Sequence, residues 1–64
     1  MEIIINHTSM QPIYEQIADR IKGMVMEGSL KAGEMLPSVR TMAKELKISA
    51  LTVKKAYDFL EEEG

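Results

Sequence analysis

Two apolar stripes of one period, set end to end with almost nothing between them, constrain this chain more than any other feature. In residues 36–60, LPSVRTMAKELKISALTVKKAYDFL, Val39, Met42, Ala43 and Leu46 fall at i, i+3, i+4 and i+7, and Val53, Ala56, Tyr57 and Leu60 repeat that spacing. Each set is one face of a 3.6-period helix. Lys47-Ile48-Ser49 leaves a connection of only a few residues, which suits a sharp crossing of two short helices. The outline is a helix-turn-helix, and its second helix carries hydroxyl and cationic residues on its first two turns.

Two short helices cannot enclose a core alone, and the preceding residues offer a third wall. Ile13, Ile17, Ile21, Met24 and Val25 form one stripe, supplemented by Tyr14 and Ala18. Pro12 suits the first helical position, Glu15 and Asp19 favour the positive end of the helix dipole, and Gly28 closes the helix as a C′ glycine. Residues 29–36 read as a connection, with Gly33 permitting backbone angles a side chain resists and Leu30 and Met35 pinning it to the core. A phosphate-binding glycine loop is excluded there, because no Gly-Lys-Ser/Thr element follows Gly28 or Gly33. Ser38 is the expected N-cap of the second helix and Ser49 that of the third, which runs to about Gly64. Ile3, Ile4 and Ile5 suggest a short N-terminal strand with an edge or dimer-related role, or disorder where its partner is absent, so residues 1–11 are expected as an N-terminal arm or short strand and 12–64 as the domain.

Sixty-four residues permit one small domain of marginal stability. The absence of cysteine removes disulfides, thiolate metal sites and cysteine nucleophiles together, and fits a cytoplasmic location. No apolar run reaches the length of a membrane span. His7, with no second histidine near it, reads as an ordinary surface residue and not as a metal ligand, so neither metal nor cofactor is expected.

A net charge of −2 argues against nucleic acid until its distribution is considered. Between Lys31 and Lys55 six cations face two carboxylates, a local balance of +4, while the remainder holds two cations against eight carboxylates, or −6. Binding responds to the local potential, so a basic middle in an acidic domain still attracts phosphate. The competing reading is that these lysines only solvate exposed helix faces.

With Val53 as the inward reference and about 100° per residue, Leu51, Lys55, Asp58 and Glu62 point away from the core, with Thr52 and Lys54 on the flanks. An outward leucine at a helix start is either a harmless single exposure or an apolar contact for thymine methyl groups. Glu61, Glu62 and Glu63 would repel a phosphate backbone, which leaves the N-terminal half of the third helix as the DNA-proximal part. Ser49, Ala50, Leu51, Thr52, Lys54 and Lys55 occupy that end. In a helix-turn-helix it is this end that enters the major groove.

The run LPSVRTMAKELKISALTVKKAYDFLEEEG, preceded by PIYEQIADRIKGMVMEGSLKAGEM, resembles the DNA-binding domain of GntR-family transcriptional regulators of the YtrA-like branch, over residues 12–64. The features that carry the resemblance are PIYEQI, Gly28-x-Leu30-x-x-Gly33, Leu36-Pro37-Ser38-x-Arg40, Thr52-Val53, Ala56-Tyr57 and the closing Leu60-Glu61-x-Glu63-Gly64. The resemblance implies an all-α core, a three-helix helix-turn-helix of winged-helix type. It also implies DNA contact by the Leu-Pro-Ser-x-Arg segment, here Ser38 and Arg40, and homodimeric binding to an inverted-repeat operator, most often in repression. Family members carry a two-stranded wing after the position of Gly64 and then an effector or dimerisation region; these 64 residues include neither. Many members have arginine or proline–asparagine after the residue corresponding to Ser49, where this chain has Ala50-Leu51, so operator sequence does not transfer and readout is expected to shift toward thymine methyls.

Two other functions compete. A helical protein–protein module would dock through Leu51 and the methionines Met24 and Met26. An enzyme is disfavoured, with a single histidine, no cysteine, and carboxylates on polar helix faces.

Overall fold

The computed structural model describes residues 3–29 and 36–63, with the side chain of residue 63 left out. Three helices follow in order: α1 (Ile13–Glu27), α2 (Val39–Leu46) and α3 (Ala50–Glu63). The expected Leu30, Gly33 and Met35 anchoring of the α1–α2 connection, and the end of α3 at Gly64, lie outside the described residues.

Each helix boundary has a local chemical cause. Pro12 precedes the first turn of α1 as its N-cap, and its carbonyl accepts from the N–H groups of Glu15 (3.1 Å) and Gln16 (3.2 Å). The expected start at Pro12 therefore shifts by one residue, since its ψ of 147° is extended. Gly28 closes α1 in the left-handed region at φ 85°, its N–H donating to the Val25 carbonyl. Ser38 and Ser49 cap α2 and α3 in the same way, with Ser38 Oγ accepting from Thr41 N–H and Ser49 Oγ from Thr52 N–H, both at 3.1 Å.

The α2–α3 turn is closed without glycine. Lys47 adopts φ 57° and ψ 45°, a left-handed conformation in which its N–H donates to the Lys44 carbonyl, while the Ile48 N–H reaches back to the Ala43 carbonyl at 3.0 Å. This pair of bonds is a Schellman closure, and it satisfies the orphan carbonyls at the end of an eight-residue helix. Ile48, half-buried, packs against the core just beyond the turn.

Helix α3 is the spine of the fold, because α1 and α2 both pack on it. Ile17, Met42 and Val53, one from each helix, are the largest fully buried side chains, and Ile3, Ala18, Ile21, Met24, Ala43 and Ala56 are buried with them. The expected stripes of α2 and α3 face inward in full, with Val39, Leu46, Tyr57 and Leu60 half-buried at their edges. Val25 departs from the α1 stripe and is 40% exposed. Met24 is buried while Met26 is 88% exposed, so the two methionines do not form one surface.

Residues 3–6 carry no strand, although Ile3 is buried in the common core and Ile5 packs against it. Hydrophobic burial holds this arm, and Gln16 adds a two-point amide clamp. The Asn6 N–H donates to Gln16 Oε1 at 2.9 Å, and Gln16 Nε2 donates to the Asn6 carbonyl at 3.0 Å and to that of Gln11 at 2.9 Å. Backbone groups that a strand would pair with a neighbour are thus met in part by one side chain. His7 is exposed, in keeping with a surface role.

Candidate nucleic-acid interface

The first two turns of α3 hold the expected residues outward on a rigid base. Val53 and Ala56 are fully buried on one face, and Leu51, on the opposite face, is 76% exposed. Ser49, Ala50, Lys54 and Lys55 are exposed as well, and Thr52 is half-buried on the flank. On α2, Ser38, Arg40, Thr41 and Lys44 are exposed or half-exposed, as is Lys47 in the turn. Among the described residues from 36 to 55, Arg40, Lys44, Lys47, Lys54 and Lys55 stand against Glu45 alone, so the helix-turn-helix is locally cationic.

Both paired helices begin with the same Ser-x-x-Thr box, and the box decides which hydroxyl protons are available. Ser38 Oγ donates to Thr41 Oγ1 at 2.9 Å, so its proton is committed and the exposed Thr41 hydroxyl is left to donate outward. At α3 the Ser49 and Thr52 hydroxyls lie 2.8 Å apart, and sharing one proton between them leaves the other for an external acceptor. The first-turn N–H groups and the dipole favour an anion at each of these ends.

The two lysines of α3 are held in different ways. Lys54 Nζ donates to Asp58 Oδ2 at 2.9 Å, one turn along the helix, and that hydrogen bond together with the carboxylate charge raises the lysine above its ordinary pKa. Lys55 turns instead toward α1, its Nζ 4.5 Å from the centroid of the Tyr14 ring. Tyr14 meets Phe59 edge to face at 6.0 Å, and Lys22 lies 5.0 Å from the centroid of Phe59. The α1–α3 seam therefore ends in an interleaved run of two cations and two rings. The expected core role of Tyr14 is only part of its role, since its half-buried ring also seats Lys55.

Phe59 and Gln16 carry contacts that the sequence pattern does not single out. Phe59 lies about 120° from Val53, outside the narrow stripe used to read α3, and only its position one turn after Lys55 hints at the seam. Tyr57 also exceeds a packing role: half-buried, it donates its hydroxyl to the Pro37 carbonyl at 2.7 Å. Burial raises its pKa, with Glu45 adding to the effect. Among the described residues no cluster of histidine, cysteine and carboxylate groups could hold a metal ion, and no helix is long and apolar enough to cross a membrane.

Three short helices with the second pair joined by a tight turn, a buried inner face on the last helix and a cationic outer one define a helix-turn-helix DNA-binding domain. The chain belongs to the GntR family of bacterial regulatory proteins, whose family model matches residues 13–64. It is 45% identical over 62 residues to the HTH-type transcriptional repressor YtrA of Bacillus subtilis, a match covering 97% of this chain and 48% of that protein. It is 41% identical over 46 residues to the mannosyl-D-glycerate transport/metabolism system repressor MngR of Escherichia coli, covering 72% of this chain and 19% of that one. Among solved structures, YtrA from Sulfolobus acidocaldarius, a GntR-family transcription factor, superposes with a TM-score of 0.94 at 48% identity, over 97% of this chain and 66% of its own. A transcriptional antiterminator from Listeria monocytogenes EGD-e gives 0.93 at 42% identity, over 97% and 46%. The chain thus spans about half the length of the Bacillus subtilis repressor and less of the Escherichia coli one. These neighbours agree with the expected three-helix, winged-helix-type architecture.

Proposed function

We propose that this chain is the DNA-reading module of a cytoplasmic bacterial-type repressor, acting as a homodimer on an inverted-repeat operator and catalysing no reaction. The observation that carries the reading is the two-sidedness of α3: buried Val53 and Ala56 fix the helix while Leu51, Lys54 and Lys55 stand in solvent at its N-terminal half. A helix so presented fits the major groove by its amino end. Arg40 serves as the bidentate reader of guanine O6 and N7, a contact worth about 1–3 kcal/mol of discrimination. Thr41 and the Ser49–Thr52 pair donate to phosphate, Ser38 holds Thr41 in place, and Ala50 and Leu51 meet thymine methyls. Lys55, drawn toward Tyr14, reaches the phosphate wall on the α1 side, and Lys54 is available to the α2 side only when its pair with Asp58 opens. Repression is supported by the names of the relatives, two repressors among them, and two-fold pairing is what the family resemblance implies.

Titration of duplex DNA at several salt concentrations tests the reading. Affinity of a single copy is expected in the ~10⁻⁴–10⁻⁶ M range for unrelated sequences and to fall steeply with salt. Charge reversal at Arg40 and Lys54 together should abolish it, whereas binding indifferent to salt and to both reversals would reject a phosphate-facing surface. The competing protein–protein reading keeps only Leu51 and Met26, because Met24 is inside the core.

A further inference from the structure

Of the two lysines on α3, Lys54 is hydrogen-bonded to a carboxylate, Asp58 Oδ2 at 2.9 Å. Asp58 follows Leu51 by seven residues, which on a helix places it within about 20° of the same direction. A negative side chain therefore shares the direction of Leu51 two turns behind it, at the edge of the DNA-proximal half of α3. The pair is exposed on both sides, with side-chain accessibilities of 63% and 54%, so it is labile and can be exchanged for another partner. The buried core makes no demand on it.

We propose that Asp58 is a specificity-determining residue of the DNA face, holding Lys54 away from phosphate and so suppressing sequence-independent binding more than binding at a matched site. The inference rests on the DNA-binding reading above. Phosphates form the walls of the groove and neutral base edges its floor. When base contacts seat the first turns of α3, Asp58 stays behind them and keeps its lysine, and the complex is held by the residues at the amino end of the helix. When the bases do not match, binding relies on phosphate alone, and each cation withheld removes one contact from that sum. A lysine engaged internally is such a cation, and the loose complex must break the pair to recruit it.

The test compares this chain with Asp58→Asn and Glu62→Gln, the latter removing the same charge one turn further along the face. The probes are a duplex enriched from a random pool by the unsubstituted chain and a scrambled version of it, each titrated at about 50 and 200 mM salt. Circular dichroism establishes that the three chains fold alike. For Asp58→Asn the scrambled duplex is expected to bind about two- to fivefold tighter, the range set by losing one exposed pair, with a salt slope steeper by about 0.9. The enriched duplex should gain less, and Glu62→Gln should change both only slightly. Equal gain on the two duplexes, no gain on either, or an Asp58→Asn effect reproduced by Glu62→Gln would each overturn the inference while leaving DNA binding intact. Loss of affinity for the enriched duplex alone would overturn it too, in favour of Asp58 accepting from cytosine N4. If the unsubstituted chain binds neither duplex in a salt-dependent way, the DNA-binding reading itself fails.

Discussion

The hydroxyl of Tyr57 and the carbonyl of Pro37 are joined by a 2.7 Å hydrogen bond that ties the middle of α3 to the residue just before the α2 cap. The bond spans twenty residues of sequence and crosses the helix-turn-helix at the end opposite its turn. Together with the Schellman closure at Lys47, it fixes α2 on α3 at both ends, which sets where Arg40 stands relative to Leu51.

Replacing Tyr57 by phenylalanine keeps the ring and removes the strut. A loss of about 0.5–1.5 kcal/mol is expected by urea denaturation, the usual net contribution of one hydrogen bond. The pH dependence should change with it. Burial raises the Tyr57 pKa above its ordinary 10.0, so the stabilisation is complete below pH 10.0 and is lost as pH rises through the folded-state value. The Tyr57→Phe variant should therefore show a shallower alkaline decline than the parent; identical declines would mean that Tyr57 titrates alike folded and unfolded.

Met42 is buried between the helices, and truncating it to Ala should cost about 2–5 kcal/mol. A domain of this size has only about 0.05–0.15 kcal/mol per residue in hand. Met42→Ala is accordingly expected to lose a large part of the stability and to melt well below the parent, while Met26→Ala, at an exposed site, should melt within a few degrees of the parent. Thermal melts by circular dichroism check both.

Lys47 occupies the left-handed region without being glycine. Relief of that strain exceeds the added chain entropy of glycine, so Lys47→Gly should stabilise by about 0.5–1 kcal/mol. Denaturation midpoints decide this. The same substitution removes a cation, so DNA affinity should fall slightly as stability rises, and a fall in both would show that the turn was not strained.

Leu51→Ser removes the apolar contact proposed for thymine without disturbing the core, because the side chain is 76% exposed. Selection from a random duplex pool is expected to return a thymine preference at one position for the parent and none for Leu51→Ser, with a loss of about 0.8 kcal/mol at that position, the value of burying one methyl-sized group. A preference retained in full would assign it elsewhere.

Periodicity and capping chemistry made most of the fold legible in the sequence. Ser38, Ser49 and Gly28 bound helices where their side chains or backbone freedom require it, and the i, i+3, i+4, i+7 sets of α2 and α3 are the faces that pack. The apolar run at Ile3–Ile5 was legible as apolar but not as strand or arm, because the choice depends on Gln16, whose amide contacts lie ten residues away. Exposure of Leu51 follows from its angle on the helix, and that angle is set locally. The engagement of Lys55 does not follow in this way: Tyr14 belongs to another helix and meets Phe59 across the seam, and pairing of that kind leaves no trace in the period of either helix. Helical angles place Asp58 outward and Lys54 on the flank without pairing them, and the closed pair is a finding of the structure, since helical spacing alone does not separate it from two solvated charges.

Val53 and Ala56 anchor α3 from its buried side, while Leu51, Lys54 and Asp58 stand exposed on the other, so packing and the proposed reading of DNA fall on separate sides of one rod. Sequence drift can rewrite the outer letters one at a time while the inner ones keep the rod in place. A lineage descending from such a domain can thus change which promoters it visits without passing through an unfolded ancestor.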